Sequence, residues 1–105
     1  MTTFAELLAT LPGVDHVQAI ELTSDAGGTP IRIENKPGQA GSLRLYHALF
    51  QRFGVIDRAA AEEGLQLYAE HTADARAHPG KHPNIDRLFI IINGGERYNV
   101  TLIPR

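Results

Sequence analysis

The stretch Ile20–Glu34, IELTSDAGGTPIRIE, decides the fold class because it is typical of a β-hairpin. Apolar and polar residues alternate before and after Asp25–Gly28, a segment rich in turn-forming residues. Successive side chains of a strand point to opposite faces, so the apolar residues share one face and the charged residues share the other. We therefore expect two antiparallel strands that bury one face of a sheet.

A second hairpin is expected near the C-terminal end. The apolar run Leu88–Ile92 is typical of a strand that is covered on both faces. Asn93-Gly94-Gly95 follows it and is a strong hairpin turn signal. Alternation over Tyr98–Leu102 then indicates a strand with one solvated face. We expect these two strands to pair with each other.

Helices are expected at the start and in the middle of the chain. Thr3 and Glu6 have the spacing of a capping box, in which each side chain satisfies a free backbone N–H group of the first turn. The segment Ser42–Phe53 is expected to be a helix whose N-cap is its serine. Asp57–Ala77 is expected to be one further helix, capped by its aspartate.

The order of these elements is helix, hairpin, two helices, hairpin, which favours an α+β fold. We expect residues 1–105 to form a single two-layer domain, with an antiparallel sheet of two hairpins and helices packed on one face. The expected core includes Leu45, Leu49, Phe53, Leu65, Tyr68 and Ile90.

Composition narrows the classes of function. The net charge of -2 over 105 residues gives no general attraction to nucleic acid or anionic lipid. The chain has no cysteine, which excludes disulfides, thiolate catalysis and cysteine-based metal sites. The longest apolar run is too short to span a bilayer, and the N-terminus lacks the basic region of a signal peptide. We expect a cytoplasmic protein with no cofactor, whose partner is neither a membrane nor a nucleic acid.

Several segments resemble a known protein family. They are Ile33–Gly38, Gly41–Leu43, Tyr46–Leu49, Leu67–Thr72 and Asp74–Leu88. Together they are similar to a family of small uncharacterised bacterial proteins, a domain of unknown function, over nearly the whole chain. The resemblance implies a bacterial origin and a full-length single domain, and it supplies no activity, substrate or site.

The loop Lys36–Gly41 is a candidate anion site because it leads from a strand into a helix N-terminus. Free backbone N–H groups and the helix dipole favour an anion there, and glycines allow a phosphate to approach closely. The expected ligand-binding residues are Lys36, Gly38, Gly41, Ser42, Arg44 and Lys81. The loop has neither a Walker A motif nor a dinucleotide fingerprint, so a plain turn with solvated charges is the alternative.

A second candidate site is a group of imidazole and carboxylate side chains. His71, Asp74 and His78 lie on one flank of the helix expected over Asp57–Ala77, and His82 follows on the next loop. These are ligand types for zinc and other divalent ions, and imidazole also suits general acid–base chemistry. No strict metal-binding spacing is present, so a flank of paired and capping side chains is the alternative.

The loops Lys36–Arg44 and His78–Arg87 are both rich in Gly, Pro, His and Lys. Because loops on a rigid scaffold commonly carry function, we expect them to form the contact surface of a domain that binds a small molecule or a protein. One alternative is a divalent-metal-dependent hydrolase-type enzyme that uses the imidazole and carboxylate group. Another is a homo-oligomeric module, such as a homodimer, that pairs through a sheet edge.

Overall fold

Residues 2–105 are described by a computed structural model, and they form five α-helices and three strands. In chain order these are α1 Phe4–Ala9, β1 Val17–Ser24, β2 Ile31–Glu34, α2 Ala40–Phe53, α3 Arg58–Leu67, α4 Glu70–Ala77, α5 Pro83–Gly94 and β3 Tyr98–Pro104. The capping box of Thr3 and Glu6 is present at the start of α1. The expected α+β class is confirmed.

The sheet is antiparallel with the strand order β2-β1-β3, so β1 is its central strand. The first hairpin is confirmed, with Ile20 opposite Ile33 across the β1–β2 pair. On its other side, Ile20 lies opposite Leu102 of β3. These apolar side chains share the face that the helices cover. Glu21 and Arg32 form an ion pair on the other face, which is open to solvent.

The prediction of a second hairpin is wrong because Leu88–Ile92 lies within α5. Pro83 occupies the first helical turn, where backbone N–H groups have no acceptor within the helix, so its missing N–H costs no hydrogen bond. Ile85, Leu88 and Ile91 then recur at helical spacing and form the buried face. A five-residue apolar run fits a buried strand or a buried helix equally well, and here the flanking residues continue the helical period.

Asn93-Gly94-Gly95 ends this helix instead of turning a hairpin. Gly95 is left-handed, with a φ of 72°, and its N–H donates to the carbonyl of Ile91 at 2.7 Å. This is the usual role of glycine at a helix C-terminus. The strand expected over Tyr98–Leu102 is confirmed as β3, but it pairs with β1 and not with Leu88–Ile92.

The single helix expected over Asp57–Ala77 is two helices, α3 and α4. Asp57 is the N-cap of α3, as expected, and its side chain accepts a hydrogen bond from the N–H of Ala60 at 3.0 Å. The helix breaks after Tyr68 because Ala69 adopts a φ of 52° and a ψ of -117°. No glycine or proline marks this break in the sequence.

The start of α2 also differs from the expectation. The helix begins at Ala40, so the prediction of Ser42 as its N-cap is wrong. Gln39 precedes the helix, and its side-chain oxygen accepts the N–H of Glu34 rather than capping α2. The other end is as expected, since Gly54 terminates α2 with a left-handed φ of 75°.

The core lies between the sheet and helices α2, α3 and α5. Three of the expected core residues are buried, namely Leu45, Leu49 and Tyr68. Two others, Phe53 and Leu65, are partly buried and pack at the edge of the core. The prediction is wrong for Ile90, which is 60% exposed because the helix turns it away from the sheet. Within residues 2–105, no helix combines the length and apolarity needed to cross a membrane.

Candidate functional site

A cavity of about 360 Å³ lies where the two predicted loops meet, and we call it the loop pocket. One side is formed by Gly38, Gly41 and Ser42, at the start of α2. The opposite side is formed by residues 81–85, at the start of α5. The remaining wall consists of Phe4, Tyr68 and His71. The structure therefore brings both Gly- and Pro-rich loops to one cavity.

The first side of the loop pocket is the N-terminus of α2. The turn before it has Gly38 at a φ of 90° and closes with a 2.9 Å hydrogen bond from the Gln39 N–H to the Lys36 carbonyl, as in a type II turn. Within residues 2–105, the N–H groups of Gly41 and Ser42 have no acceptor. These two donors remain available to a ligand.

The opposite side is the N-terminus of α5. Pro83 has no N–H, and the N–H groups of Ile85 and Asp86 both donate to the carbonyl of His82, at 3.0 and 2.9 Å. The N–H of Asn84 has no acceptor in the described part of the chain. Two helix N-termini thus supply unpaired donors at one cavity, and the positive ends of both dipoles lie there.

A buried hydroxyl positions Asn84 at this helix start. Tyr46 is fully buried, and its hydroxyl donates to the Asn84 carbonyl. Arg87 Nη1 donates to Asn84 Oδ1 at 2.9 Å and to the Tyr46 hydroxyl at 3.1 Å. Burial raises the pKa of Tyr46 to about 12, so the tyrosine is neutral at physiological pH. The sequence does not indicate this contact between Tyr46 and Asn84, because 38 residues separate them.

Aromatic rings form the wall between the two helix starts. Phe4 stacks on Tyr68 with ring centroids 5.3 Å apart and meets the ring of His71 edge-on at 5.2 Å. The Tyr68 hydroxyl donates to Ser42 Oγ at 2.8 Å, and burial raises the pKa of this tyrosine. Glu70 Oε1 accepts the backbone N–H of Phe4 at 2.7 Å and so fixes α1 against α4.

Asp74 carries the charged edge of the pocket. Its Oδ2 lies 2.6 Å from His82 Nε2 and 3.0 Å from Lys81 Nζ, while His78 Nε2 lies 3.9 Å from Oδ1. The hydrogen bonds from His82 and Lys81 lower the pKa of Asp74 to about 2, so the carboxylate is ionised at neutral pH. Asp74 therefore fixes the orientation of the His82 ring, which lines the cavity, through its Nε2.

Two of the predicted anion-site residues lie outside the loop pocket. Lys36 Nζ forms an ion pair with Glu34 at 2.7 Å. Arg44 donates to the backbone carbonyls of Leu11 at 2.6 Å and Pro12 at 3.2 Å. The other four predicted residues, Gly38, Gly41, Ser42 and Lys81, line the cavity together.

The predicted metal ligands lie close to one another, but their side chains do not point at one shared position. Asp74 contacts His82 and His78, whereas the ring of His71 lies 5.9 Å from the ring of His82 and packs on Phe4. Within residues 2–105, no group of three or more His, Cys, Asp or Glu side chains is arranged to hold a metal ion.

Comparisons with known proteins place the chain in a family. A family model described as "Uncharacterized protein conserved in bacteria (DUF2322)" matches residues 4–102. No curated protein and no solved structure shows significant similarity to the chain. The match spans all the described helices, β1, β2 and most of β3, so the chain belongs to the DUF2322 family of uncharacterised proteins conserved in bacteria.

Proposed function

We propose that the protein binds a small anionic ligand in the loop pocket. The observation that carries the proposal is the convergence of two helix N-termini on one cavity, where Gly41, Ser42 and Asn84 have N–H groups without acceptors in the described chain. Such groups hydrogen-bond anions, and the helix dipoles favour negative charge at this position. The volume of about 360 Å³ is within the range of small-molecule sites.

The lining supports a ligand that joins an anionic group to an apolar one. Lys81, His71 and His82 add polar side chains to the lining of the same cavity. The stacked rings of Phe4 and Tyr68 supply an apolar wall on the same cavity. A phosphate or carboxylate attached to a flat apolar group fits both surfaces, because the anion meets the helix starts while the apolar group meets the rings.

We also infer that the protein acts in the cytoplasm on a small molecule rather than on a nucleic acid. The absence of cysteine supports the location, because small secreted domains commonly depend on disulfides. The net charge of -2 supports the class of ligand, since non-specific affinity for nucleic acid requires basic surface.

An amide-resolved NMR titration with inorganic phosphate tests the proposal. Phosphate is expected to shift the amide signals of Gly41, Ser42 and Asn84 before any others, because only a ligand at both helix starts reaches all three. The Leu43 amide should respond less, because its N–H already donates to the Gln39 carbonyl at 2.9 Å. The proposal is wrong if these three signals stay still at high phosphate while amides elsewhere move.

Two lysine variants separate the loop pocket from the surrounding surface. Lys81→Ala should weaken phosphate binding about two- to fivefold, the effect of losing one partly exposed charge worth ~0.5–1 kcal/mol. Lys36→Ala is the matched control, because that side chain pairs with Glu34 outside the cavity, and phosphate should bind it as it binds the wild type. Added sodium chloride should reduce the Lys81 effect through screening. Equal losses in both variants would indicate general charge attraction and not a site.

A further inference from the structure

A shallow groove between α4 and α5, away from the loop pocket, carries a second inference. Its volume is about 430 Å³, and we call it the α4–α5 groove. The groove is lined by Ala75, Arg76 and Pro79 on one side and Asp86, Phe89, Ile90 and Asn93 on the other. The second set recurs at intervals of three and four residues, so it is one continuous stripe along α5.

The centre of this stripe is apolar and open to solvent. Ile90 is 60% exposed and is the large hydrophobic side chain most open to water in the described chain. Phe89, beside it, is half-buried and lies under the guanidinium of Arg76, whose carbon is 5.0 Å from the ring centroid. Ala75 is buried at the floor of the groove. The exposed side chain of Ile90, which we call the knob, therefore lies next to a depression whose floor, Ala75, is apolar.

The charges at the rim of the groove are opposite and lack ion-pair partners. Within residues 2–105, neither Arg76 nor Asp86 forms a salt bridge. Asp86 Oδ2 accepts the N–H of Gly80 at 2.9 Å, which fixes the carboxylate without neutralising it. One cation and one anion give this surface no net charge, so two copies of it do not repel each other.

We propose that the α4–α5 groove is the contact surface of a homodimer, in which α5 packs antiparallel against α5 of a second copy. The midpoint of the stripe from Asp86 to Asn93 lies between Phe89 and Ile90. A two-fold axis there seats the Ile90 of each copy against the apolar centre of the other. The same axis sets the Asp86 carboxylate opposite the Asn93 amide of the second copy and leaves Arg76 free to pair across the contact.

The charge and shape of the groove favour this occupant. A two-fold contact presents the same surface twice, so the surface must be complementary to itself, and a protruding side chain beside a depression with charges of both signs meets this condition. The α4–α5 groove has all of these features. A partner of one strong charge would instead need a groove of the opposite sign.

Sedimentation equilibrium of the purified chain tests the proposal. The average mass should rise from that of one chain, 11.5 kDa, towards twice that value as the concentration increases from about 10 to about 500 µM. A mass of one chain at every concentration would overturn the proposal and leave the groove to some other occupant.

Matched variants show whether the groove makes the contact. Ile90→Lys places a charge at the centre of the contact, near a helix C-terminus that tolerates it, and should shift the dimer dissociation constant upwards by at least tenfold. Ala73→Lys adds the same charge on the exposed part of α4, outside the groove, and should dimerise as the wild type does. Dimerisation of Ile90→Lys at wild-type concentrations would overturn the proposal.

A charge reversal tests the rim independently. Arg76→Glu puts two anions on each copy of the surface and should weaken the dimer severalfold at low salt, with partial recovery in added salt. Arg58→Glu reverses a charge of α3 outside the groove and should leave the mass unchanged. Equal effects of the two reversals would overturn the assignment of the contact to this groove.

Discussion

Ala69 holds the backbone geometry that assembles the aromatic wall of the loop pocket. Its φ of 52° and ψ of -117° are costly for a residue with a Cβ atom. The break that it makes lets Tyr68, at the end of α3, and His71, in the first turn of α4, both reach Phe4. Strained residues of this kind concentrate at functional sites, in agreement with a binding role for the pocket.

Replacing this alanine by glycine should stabilise the protein. Ala69→Gly removes a strain of ~1–3 kcal/mol, against an entropic cost of ~0.5–1 kcal/mol for the added glycine, so a net gain of about 1 kcal/mol is expected. Denaturant unfolding measures the change. Ala73→Gly, within the regular part of α4, is the matched control and should cost about 1 kcal/mol. A loss of stability in both variants would show that residue 69 is not strained.

Individual charged residues were the least predictable part of the site. The glycines and Ser42 of the first loop could be predicted, because a turn that leads into a helix is a local pattern. Lys36 and Arg44 are as close to this loop in sequence, yet neither side chain lines the pocket. Lys36 pairs with Glu34. Arg44 donates to the carbonyls of Leu11 and Pro12. No local pattern specifies which long-range partner a flexible cation selects.

At Gly64, α3 packs against both α2 and α5 with no room for a side chain. A Cβ atom at this buried glycine would lie 2.8 Å from Leu88 Cδ1 of α5 and 3.0 Å from Leu49 Cδ1 of α2. Both leucine side chains are buried, so their methyl groups would have to shift within a closely packed core to admit a Cβ atom. The glycine therefore sets the distance between the three helices that cover the sheet.

Gly64→Ala should consequently destabilise the protein. Overpacking costs ~1–3 kcal/mol, and the better helix propensity of alanine returns only about 1 kcal/mol, so a net loss of about 1 kcal/mol is expected. Gly94→Ala is the control, because it adds the same methyl group to α5 where, apart from the local backbone of the helix, no atom of residues 2–105 lies within 4 Å. Denaturant unfolding should show a loss for the first variant and no loss for the second. A gain at Gly64 would mean that the helices are less closely packed.

Elements defined by local chemistry were predicted from the sequence, and those defined by packing were not. The β1–β2 hairpin, β3, the caps at Thr3 and Asp57 and the end of α2 after Phe53 follow from alternation and turn or cap residues. The identity of α5 depends on which face of Leu88–Ile92 meets α3, and a short apolar run does not specify that. For the same reason the strand order could not be derived: β3 pairs with β1 across four intervening helices.

The stability of the whole molecule should depend on pH through two separate sets of groups. Hydrogen bonds lower the pKa values of Asp25, Glu34, Glu70 and Asp74, so their contributions to the free energy of unfolding are present above the ordinary carboxyl values of 3.8 and 4.5 and decline as the pH falls below them. His47 differs because its ring is buried, and its Nδ1 has no hydrogen-bond partner among residues 2–105. Burial, and then the nearby ring of His16, lower the pKa of His47.

Protonation of His47 should therefore destabilise the fold in mild acid. A histidine whose folded pKa lies below its unfolded value of about 6.5 binds a proton more readily in the unfolded chain. The contribution of His47 to the free energy of unfolding is complete above about pH 6.5. It declines as the pH falls from there to the pKa of the folded protein. Denaturant unfolding between pH 8 and pH 5 should show this decline in the wild type, before the carboxylates titrate.

Two substitutions assign the decline to this one side chain. His47→Leu keeps an apolar group of similar size and cannot be protonated, so its stability should fall less than that of the wild type between pH 8 and pH 5. His78→Gln removes an exposed imidazole and should retain the wild-type dependence. If His47→Leu loses as much stability as the wild type over this interval, the buried ring is not the group that titrates.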